Sequence, residues 1–235
     1  MSHVDAHLDD VERISFHSKF LLFPTNNLVS MHNRKMLKSL NSSISRGFAE
    51  HTRRGEVVGA NDDQLEREVL LCHGQHVMLT CNLWVEIGLV NGALGFIENA
   101  FYMSGCKPTQ LPIYVTVNFE KYIGIPFDIN NPKIVPITLV VRGNRKKIPL
   151  KMAWALTMQK SQGLTLEKAS IDIGNIERQD IERQGLTFTA ISRVISIDGL
   201  RISTPFSFER YAKMNNSAYV TLRKKEEQHL NFISL

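Results

Sequence analysis

The chain is poor in cysteine, has no long apolar run and lacks the common catalytic signatures. Only Cys72, Cys81 and Cys106 occur, an odd count without Cys-x-x-Cys spacing. That excludes a disulfide frame or a cysteine zinc site and reads as reduced thiols in a cytosolic or nuclear setting. His73 and His76 stand three apart, but in a glycine-containing segment with no third ligand close by, so no metal site is expected. No run reaches the roughly 18 apolar residues of a membrane span. The longest, from Ile134 to Val141, is broken by Pro136 and Thr138, and membrane insertion is excluded. The start of the chain, with Asp5, Asp9 and Asp10 behind Met1, has neither the basic nor the apolar region of a signal peptide. There is no G-x-x-x-x-G-K-[ST] phosphate loop and no G-x-S-x-G elbow. No Asp-Glu pair closes an apolar strand: Asp62 and Asp63 lie in polar sequence, and Asp9 and Asp10 follow no strand. Two parts that phosphoryl transfer needs are therefore missing.

What is present is an ordinary globular composition. With 235 residues, 43% hydrophobic and 22% charged, the chain has room for one large domain or a medium one carrying an insertion. The formal net charge is +5. Arg142, Arg145, Lys146, Lys147 and Lys151 form a basic stretch without an acid, and Arg223, Lys224 and Lys225 form another. Each fits polyanion binding, and each equally fits a solvated loop or tail helix.

The hydrophobic pattern changes texture twice. Lys19 to Phe23 predicts a short strand stopped by Pro24, and Thr25 or Asn26 caps a helix running to Leu40. Residues 41 to 66 are polar without a period and read as a long connection. From 70 to 143, short alternating runs separated by Gly, Pro and Asn predict a small antiparallel β module. They include Gln75 to Thr80, a turn bracketed by Gly92 and Gly95, Ile113 to Phe119, and Ile134 to Val141. After Pro149, Leu150 to Leu156 is apolar on both faces, as a central strand would be. A polar loop, a strand at Ile171 to Ile173, a helix through Leu186 to Val194 and a strand at Leu200 to Ile202 follow. The pattern predicts an α/β domain with a parallel sheet, residues 1–69 and 144–235, split by a β insertion at 70–143. Tyr211 to Leu230 reads as an exposed helix.

Ligands of open α/β sheets sit beyond the carboxyl ends of the strands. The loop after Leu156 is in that place. Thr157, Gln159, Lys160, Ser161 and Gln162 carry donors suited to phosphate oxygens, and Gly163 permits close backbone approach. A plain surface turn has the same composition. Arg193, beside Ser192 on a helix with an apolar opposite face, is either a helix-end charge or a ligand for a terminal phosphate.

Four segments in order resemble the Pif-type DNA helicases, of the same superfamily as RecD-like helicases. Pro149 to Thr165 (PLKMAWALTMQKSQGLT) resembles the fifth motif, with Gln159 where the family usually has histidine. Gly185 to Val194 (GLTFTAISRV) resembles the sixth. Val77 to Gly95 resembles the approach to the family's β-barrel insertion, and Leu22 to Asn26 with Asn33 resembles the fourth motif.

The resemblance covers about residues 20 to 210 and implies a fold: a RecA-like parallel sheet domain interrupted by a small antiparallel β-barrel. It implies the second of two such domains, the first holding the phosphate loop and metal-binding carboxylate. It further implies 5′ to 3′ movement on single-stranded DNA, ATP with Mg2+ shared between the domains, and residence in the nucleus, with the mitochondrion as alternative. By resemblance, Arg193 is the catalytic arginine at the γ-phosphate; Gly163 and Thr165 face the nucleotide; Thr157, Gln159, Lys160, Ser161, Thr25 and Asn26 face DNA. Trp154 is assigned to core packing and Trp84 to the barrel or its junction, with base stacking by Trp84 as an alternative. Two other readings stand beside it: a non-enzymatic nucleic-acid-binding module using the basic stretch, and a truncated or decayed helicase copy.

Overall fold

The computed structural model describes residues 20–51, 68–105, 109–142, 145–173, 185–203, 221–222 and 224–227. From the start of the chain, the elements are β1 (Phe20–Phe23), α1 (Asn26–Ser39), β2 (Ser45–Phe48), β3 (Glu50–His51), β4 (Glu68–Leu71), β5 (His76–Leu79), β6 (Leu94–Phe101), β7 (Tyr114–Phe119) and β8 (Ile134–Thr138). They continue as β9 (Val140–Arg142), β10 (Arg145–Lys147), β11 (Leu150–Met152), β12 (Ala155–Thr157), β13 (Ala169–Ile171), α2 (Leu186–Ile191) and β14 (Leu200–Ile202). The chain divides into two compact units, Met1–Val29 with Leu156–Leu235, and Ser30–Ala155.

The first unit is built on a four-stranded sheet in the order β12-β1-β13-β14. β1 and β13 are parallel, with Leu22 beside Ile171, and β13 and β14 are parallel, with Ala169 beside Leu200. Every residue of β12 and β13 is buried. Burial on both faces is why these strands show no alternation of apolar and exposed positions, their polar members Thr157 and Ser170 being buried as well. Ser170 shares a 2.9 Å hydrogen bond with the Ser203 hydroxyl.

The second unit carries a five-stranded antiparallel sheet, β11-β5-β6-β7-β8, with two smaller sheets, β3-β10-β9 and β2-β4. Its core gathers Leu71, Val77, Leu79, Ile97, Val115, Val117, Phe119, Ile137 and Ile148. Each such side chain contributes about 1.5–3 kcal/mol by leaving water. A bulge between Ile97 and Asn99 interrupts the β6–β7 register. Buried Thr116 repairs it: its Oγ1 accepts from the Asn99 amide at 3.0 Å and donates to the Asn99 carbonyl at 3.2 Å. In the same unit Trp154 packs with Leu37 and Cys72, as expected of a core tryptophan, while Trp84 is exposed.

Several sequence expectations need correction. Leu150 to Leu156 is not one central strand. β11 pairs antiparallel with β5, Leu150 opposite Leu79, and only Ala155–Thr157 joins the parallel sheet, at its edge among the described strands. Apolar residues on both faces here reflect two short strands in different sheets, not one doubly covered strand. Part of the polar stretch 41–66 is strand, since β2 pairs with β4. Only Gly47 of β2 is buried, against the Leu111 side chain, so no hydrophobic period was there to read. Gly95 lies inside β6, not in the turn, and is glycine because the Asn118 carbonyl leaves no room for a Cβ. Most of the basic stretch forms the β9–β10 hairpin, in which Arg145 and Lys147 are buried rather than solvated, while Lys151 lies on β11. Residues 221–222 and 224–227 are helical and exposed, while the rest of the expected terminal helix lies outside the described residues.

Candidate functional site

The site lies in the first unit, at the end of the parallel sheet where β1 and β12 finish. Pro24 is buried and stops β1. Thr25 then caps α1: its Oγ1 accepts from the Leu28 amide at 3.4 Å and its carbonyl from the Val29 amide at 3.3 Å. Asn26 opens the helix and is exposed. One strand over, the chain leaves β12 at Thr157, and the Met158 amide donates to the Phe23 carbonyl at 3.0 Å. That bond ties the two strand ends together.

A single 3-10 turn over Gln159–Ser161 follows. Thr157 Oγ1 accepts from the Lys160 amide at 3.4 Å, and the Ser161 hydroxyl donates to the Met158 carbonyl at 2.7 Å. Thr157 and Ser161 are buried, whereas Gln159, Lys160, Gln162 and Gly163 are exposed. The six residues expected to meet DNA therefore divide by geometry. Gln159, Lys160 and Asn26 present side chains outward; Thr157, Ser161 and Thr25 bind nearby backbone groups. A tight turn leaving a buried strand must satisfy its own amides and carbonyls, and short hydroxyl side chains do so best.

Beyond the turn, the Leu164 amide donates to the Ser161 carbonyl at 2.9 Å across Gly163, which has φ +84°. A Cβ at Gly163 would meet nothing within 4 Å, so backbone conformation, not space, calls for glycine. Exposed Thr165 leads to Leu166, whose amide donates to the Arg193 carbonyl at 2.9 Å while its carbonyl accepts from the Ile195 amide at 3.1 Å. α2 packs against the 3-10 turn. The loop 157–166 and the Ser192–Arg193 turn thus form one continuous surface.

Arg193 is held, not loose. Its Nε donates to the Thr189 carbonyl at 3.2 Å and to Ser192 Oγ at 3.3 Å, and Nη2 donates to the same Oγ at 3.0 Å. The Ser192 hydroxyl in turn donates to the Thr189 carbonyl at 3.0 Å. α2 ends at Ile191, earlier than the apolar spacing predicts, so Arg193 sits in a turn where its guanidinium can fold back over the last carbonyls. Arg193 is half-exposed, and its Nη1 makes no bond to a described residue.

Sequence reasoning missed three supports of this site. Met158 joins it through a backbone amide and carries no sequence signal. Ser192 is legible only as a hydroxyl beside the arginine. Buried Gly199 lies against the Glu167 carbonyl with no room for a Cβ; its Asp-Gly turn composition was the available clue. The two histidines weighed as ligands have other roles, both in the second unit. His73 Nδ1 lies 2.6 Å from the Glu98 carbonyl, and His76 stacks on Trp154 at 5.7 Å. Burial pushes the His76 pKa below its ordinary value, against an opposing pull from Glu120.

No family model matches the chain. It is 33% identical over 177 residues to the mouse ATP-dependent DNA helicase PIF1, covering 74% of this chain and 25% of that protein. Its fold matches the Candida albicans Pif1 helicase with a TM-score of 0.64 at 24% identity, over 88% of this chain and 49% of the other. In sequence and in fold this chain is similar to the Pif1 helicases. A Bacteroides Pif1 in complex with ADP-AlF3 and single-stranded DNA shares the fold, with a TM-score of 0.59 at 17% identity over 90% of this chain and 46% of the other. The described strands form a RecA-like parallel sheet and an antiparallel insertion. The chain spans about a quarter of the length of the curated Pif1 relatives it matches.

Proposed function

We propose that this chain is the C-terminal motor half of a Pif1-type DNA helicase moving 5′ to 3′, with ATP bound between it and a first RecA-like domain. The domain division at 70 and 143 belongs to the same proposal. The carrying observation is the pair of backbone bonds between Leu166 and the Arg193–Ile195 turn. They couple a strand-facing loop to an arginine.

The donor set suits a phosphate. Arg193 offers a half-exposed cation, and Gly163 leaves space for close approach. When bound, ATP with Mg2+ supplies the phosphoryl group whose transfer releases the driving free energy. The chain's own part is to neutralise charge at the terminal phosphate through Arg193, whose direction Ser192 and Thr189 set before any ligand arrives. Arginines in that role are worth about 10³–10⁵ in rate. On the strand side, Lys160 attracts backbone phosphate and Gln159 donates to it, with Asn26 alongside. Thr157, Ser161 and Thr25 hold the turns that present them, and Thr165 borders the nucleotide face.

The reading is tested in two steps. Purified chain should bind a fluorescent single-stranded oligonucleotide with salt-sensitive affinity and show no ATP turnover. Adding a separately produced matching first RecA-like domain should create DNA-stimulated turnover that Arg193→Ala abolishes. Turnover indifferent to Arg193 would remove the arginine from the mechanism. The alternative, a non-enzymatic module binding through the basic stretch, predicts instead that Lys146→Ala weakens binding more than Lys160→Ala. Burial of Arg145 and Lys147 speaks against it, since cations inside a hairpin are poorly placed for phosphates.

A further inference from the structure

In the second unit a cavity of about 260 Å³ lies between α1, β4, β5 and β11. The space is several times the roughly 30 Å³ share of one water and just below the ~300 Å³ at which ligand pockets begin. It suits one small ring system with its substituents. The lining divides by chemistry. Buried Leu71, Val77 and Leu150 supply apolar wall. Exposed Arg34 on α1 and half-buried Lys151 on β11 supply cations from separate elements. Glu68 also borders the space and is paired with Arg46. Gln75 is the unusual member: it is only 1% exposed, and its Oε1 has no hydrogen-bond partner among the described residues. Its backbone is fixed, the amide donating to the Cys72 carbonyl at 3.1 Å and the carbonyl accepting from the Ile97 amide at 2.9 Å. Native proteins rarely leave a buried acceptor open; where they do, something outside the chain, such as a water or an ion, is the usual partner. The terminal amide turns about a broad two-fold torsion, so it can present Oε1 to a donor inside the cavity.

The three parts of this lining ask for three parts in a ligand. Arg34 and Lys151 call for an anion, and a guanidinium matches phosphate oxygens well. The leucine and valine wall calls for an apolar body, and Gln75 for an N–H. A single nucleotide carries all three, since pockets that take one base pack it between apolar side chains and read its pairing edge by hydrogen bonds. We infer that this cavity binds one nucleotide, its base against Leu71 and Val77 with an N–H toward Gln75, its phosphate toward Arg34 and Lys151. A free nucleotide and a nucleotide within a strand share this chemistry. The choice of a nucleotide over another anion rests on reading the chain as part of a DNA helicase; the cavity itself does not. The site is distinct from the 157–166 loop and Arg193, which belong to the other unit.

The test uses the whole chain, labelled dCMP and deoxyribose 5-phosphate in equilibrium dialysis, and a fluorescent single-stranded oligonucleotide. Wild type should bind dCMP and hold the base-free sugar phosphate more weakly. Arg34→Ala should weaken dCMP by about tenfold or more, and Gln75→Leu should lower it to the level of the sugar phosphate. Gln75 is buried, so circular dichroism checks that variant; Arg34 is exposed, and its truncation leaves the core intact. The oligonucleotide identifies the source: if it displaces dCMP the site takes a nucleotide of a strand, and if not, a free one. No dCMP binding, equal binding of the sugar phosphate, or binding indifferent to Arg34→Ala overturns the site and leaves the cavity to water. Loss with Arg193→Ala instead moves the nucleotide to the other unit and overturns it too. In each of these cases an oligonucleotide still held through Lys160 leaves the helicase reading standing. An oligonucleotide that does not bind at all removes that reading.

Discussion

Asn33 bonds Ala155 in both directions: its Oδ1 accepts from the Ala155 amide at 2.8 Å, and its Nδ2 donates to the Ala155 carbonyl at 3.1 Å. The same Nδ2 reaches the Met152 carbonyl at 3.3 Å. A side chain of α1 thus takes the place of a neighbouring strand for the crossing from β11 to β12. The contact is buried, so its loss strands polar groups away from water. Asn33→Ala should cost about 1–3 kcal/mol in urea unfolding. Asn33→Asp should cost more, because it replaces a donor with an acceptor facing two carbonyls. Equal midpoints for wild type and both variants would show that the clamp contributes nothing.

Acid should weaken the second unit before its carboxylates titrate. His76 has its pKa lowered by burial, with Glu120 opposing, and His32 is lowered by burial and by Lys35. A histidine depressed in the folded state stays neutral there, while the unfolded chain takes up a proton near 6.5. The associated stability is therefore complete above that pH and is lost as pH falls through the folded value. The urea midpoint should drop between pH 7.5 and about 5.5. Replacing His76 with glutamine should flatten that drop; an unchanged slope would sink the assignment.

Gly163 and Gly88 separate backbone strain from crowding. Both have positive φ, but a Cβ at Gly88 would lie 2.7 Å from the Lys121 carbonyl, whereas Gly163 has open space. Gly163→Ala should cost roughly 1–2 kcal/mol of local strain, and Gly163→Asn less, since asparagine tolerates that region. Gly88→Ala should lower the melting temperature further than Gly163→Ala. The reverse order would refute this account.

Lys160 and Ser161 are neighbours with different jobs. Lys160→Ala should weaken single-strand binding and reduce the slope of log affinity against log salt by about 0.7, one phosphate's worth. Ser161→Ala removes a buried hydrogen bond and should cost about 1 kcal/mol of stability, leaving the salt slope unchanged. A changed slope in Ser161→Ala would mean that its hydroxyl meets phosphate directly.

Much of this architecture was legible before any coordinates. β14 matches its expected bounds, β1 is strand from Phe20, the first described residue, to Phe23, and α1 begins where Pro24 and Thr25 place it. These elements bury several consecutive or regularly spaced apolar side chains, so burial leaves a pattern. β2 buries only Gly47 and leaves none. The alternation through Leu150–Leu156 was visible but ambiguous, because a run of that kind cannot tell one long buried strand from two short ones. At the site, residue types around 157–165 and Arg193 were recognisable. Which hydroxyls point inward was not, because that depends on where the turn needs its hydrogen bonds.

The sequence by itself determined the alternation of texture, the missing phosphate loop and the order of the motifs, since these are properties of neighbours along the chain. Tertiary structure alone decided that Leu166 bonds the turn of Arg193, that Asn33 stands in for a strand beside Ala155, and that Arg145 and Lys147 go inside. Such pairings join residues far apart in the chain. They are chosen by which buried polar groups remain to be satisfied once the sheets have closed.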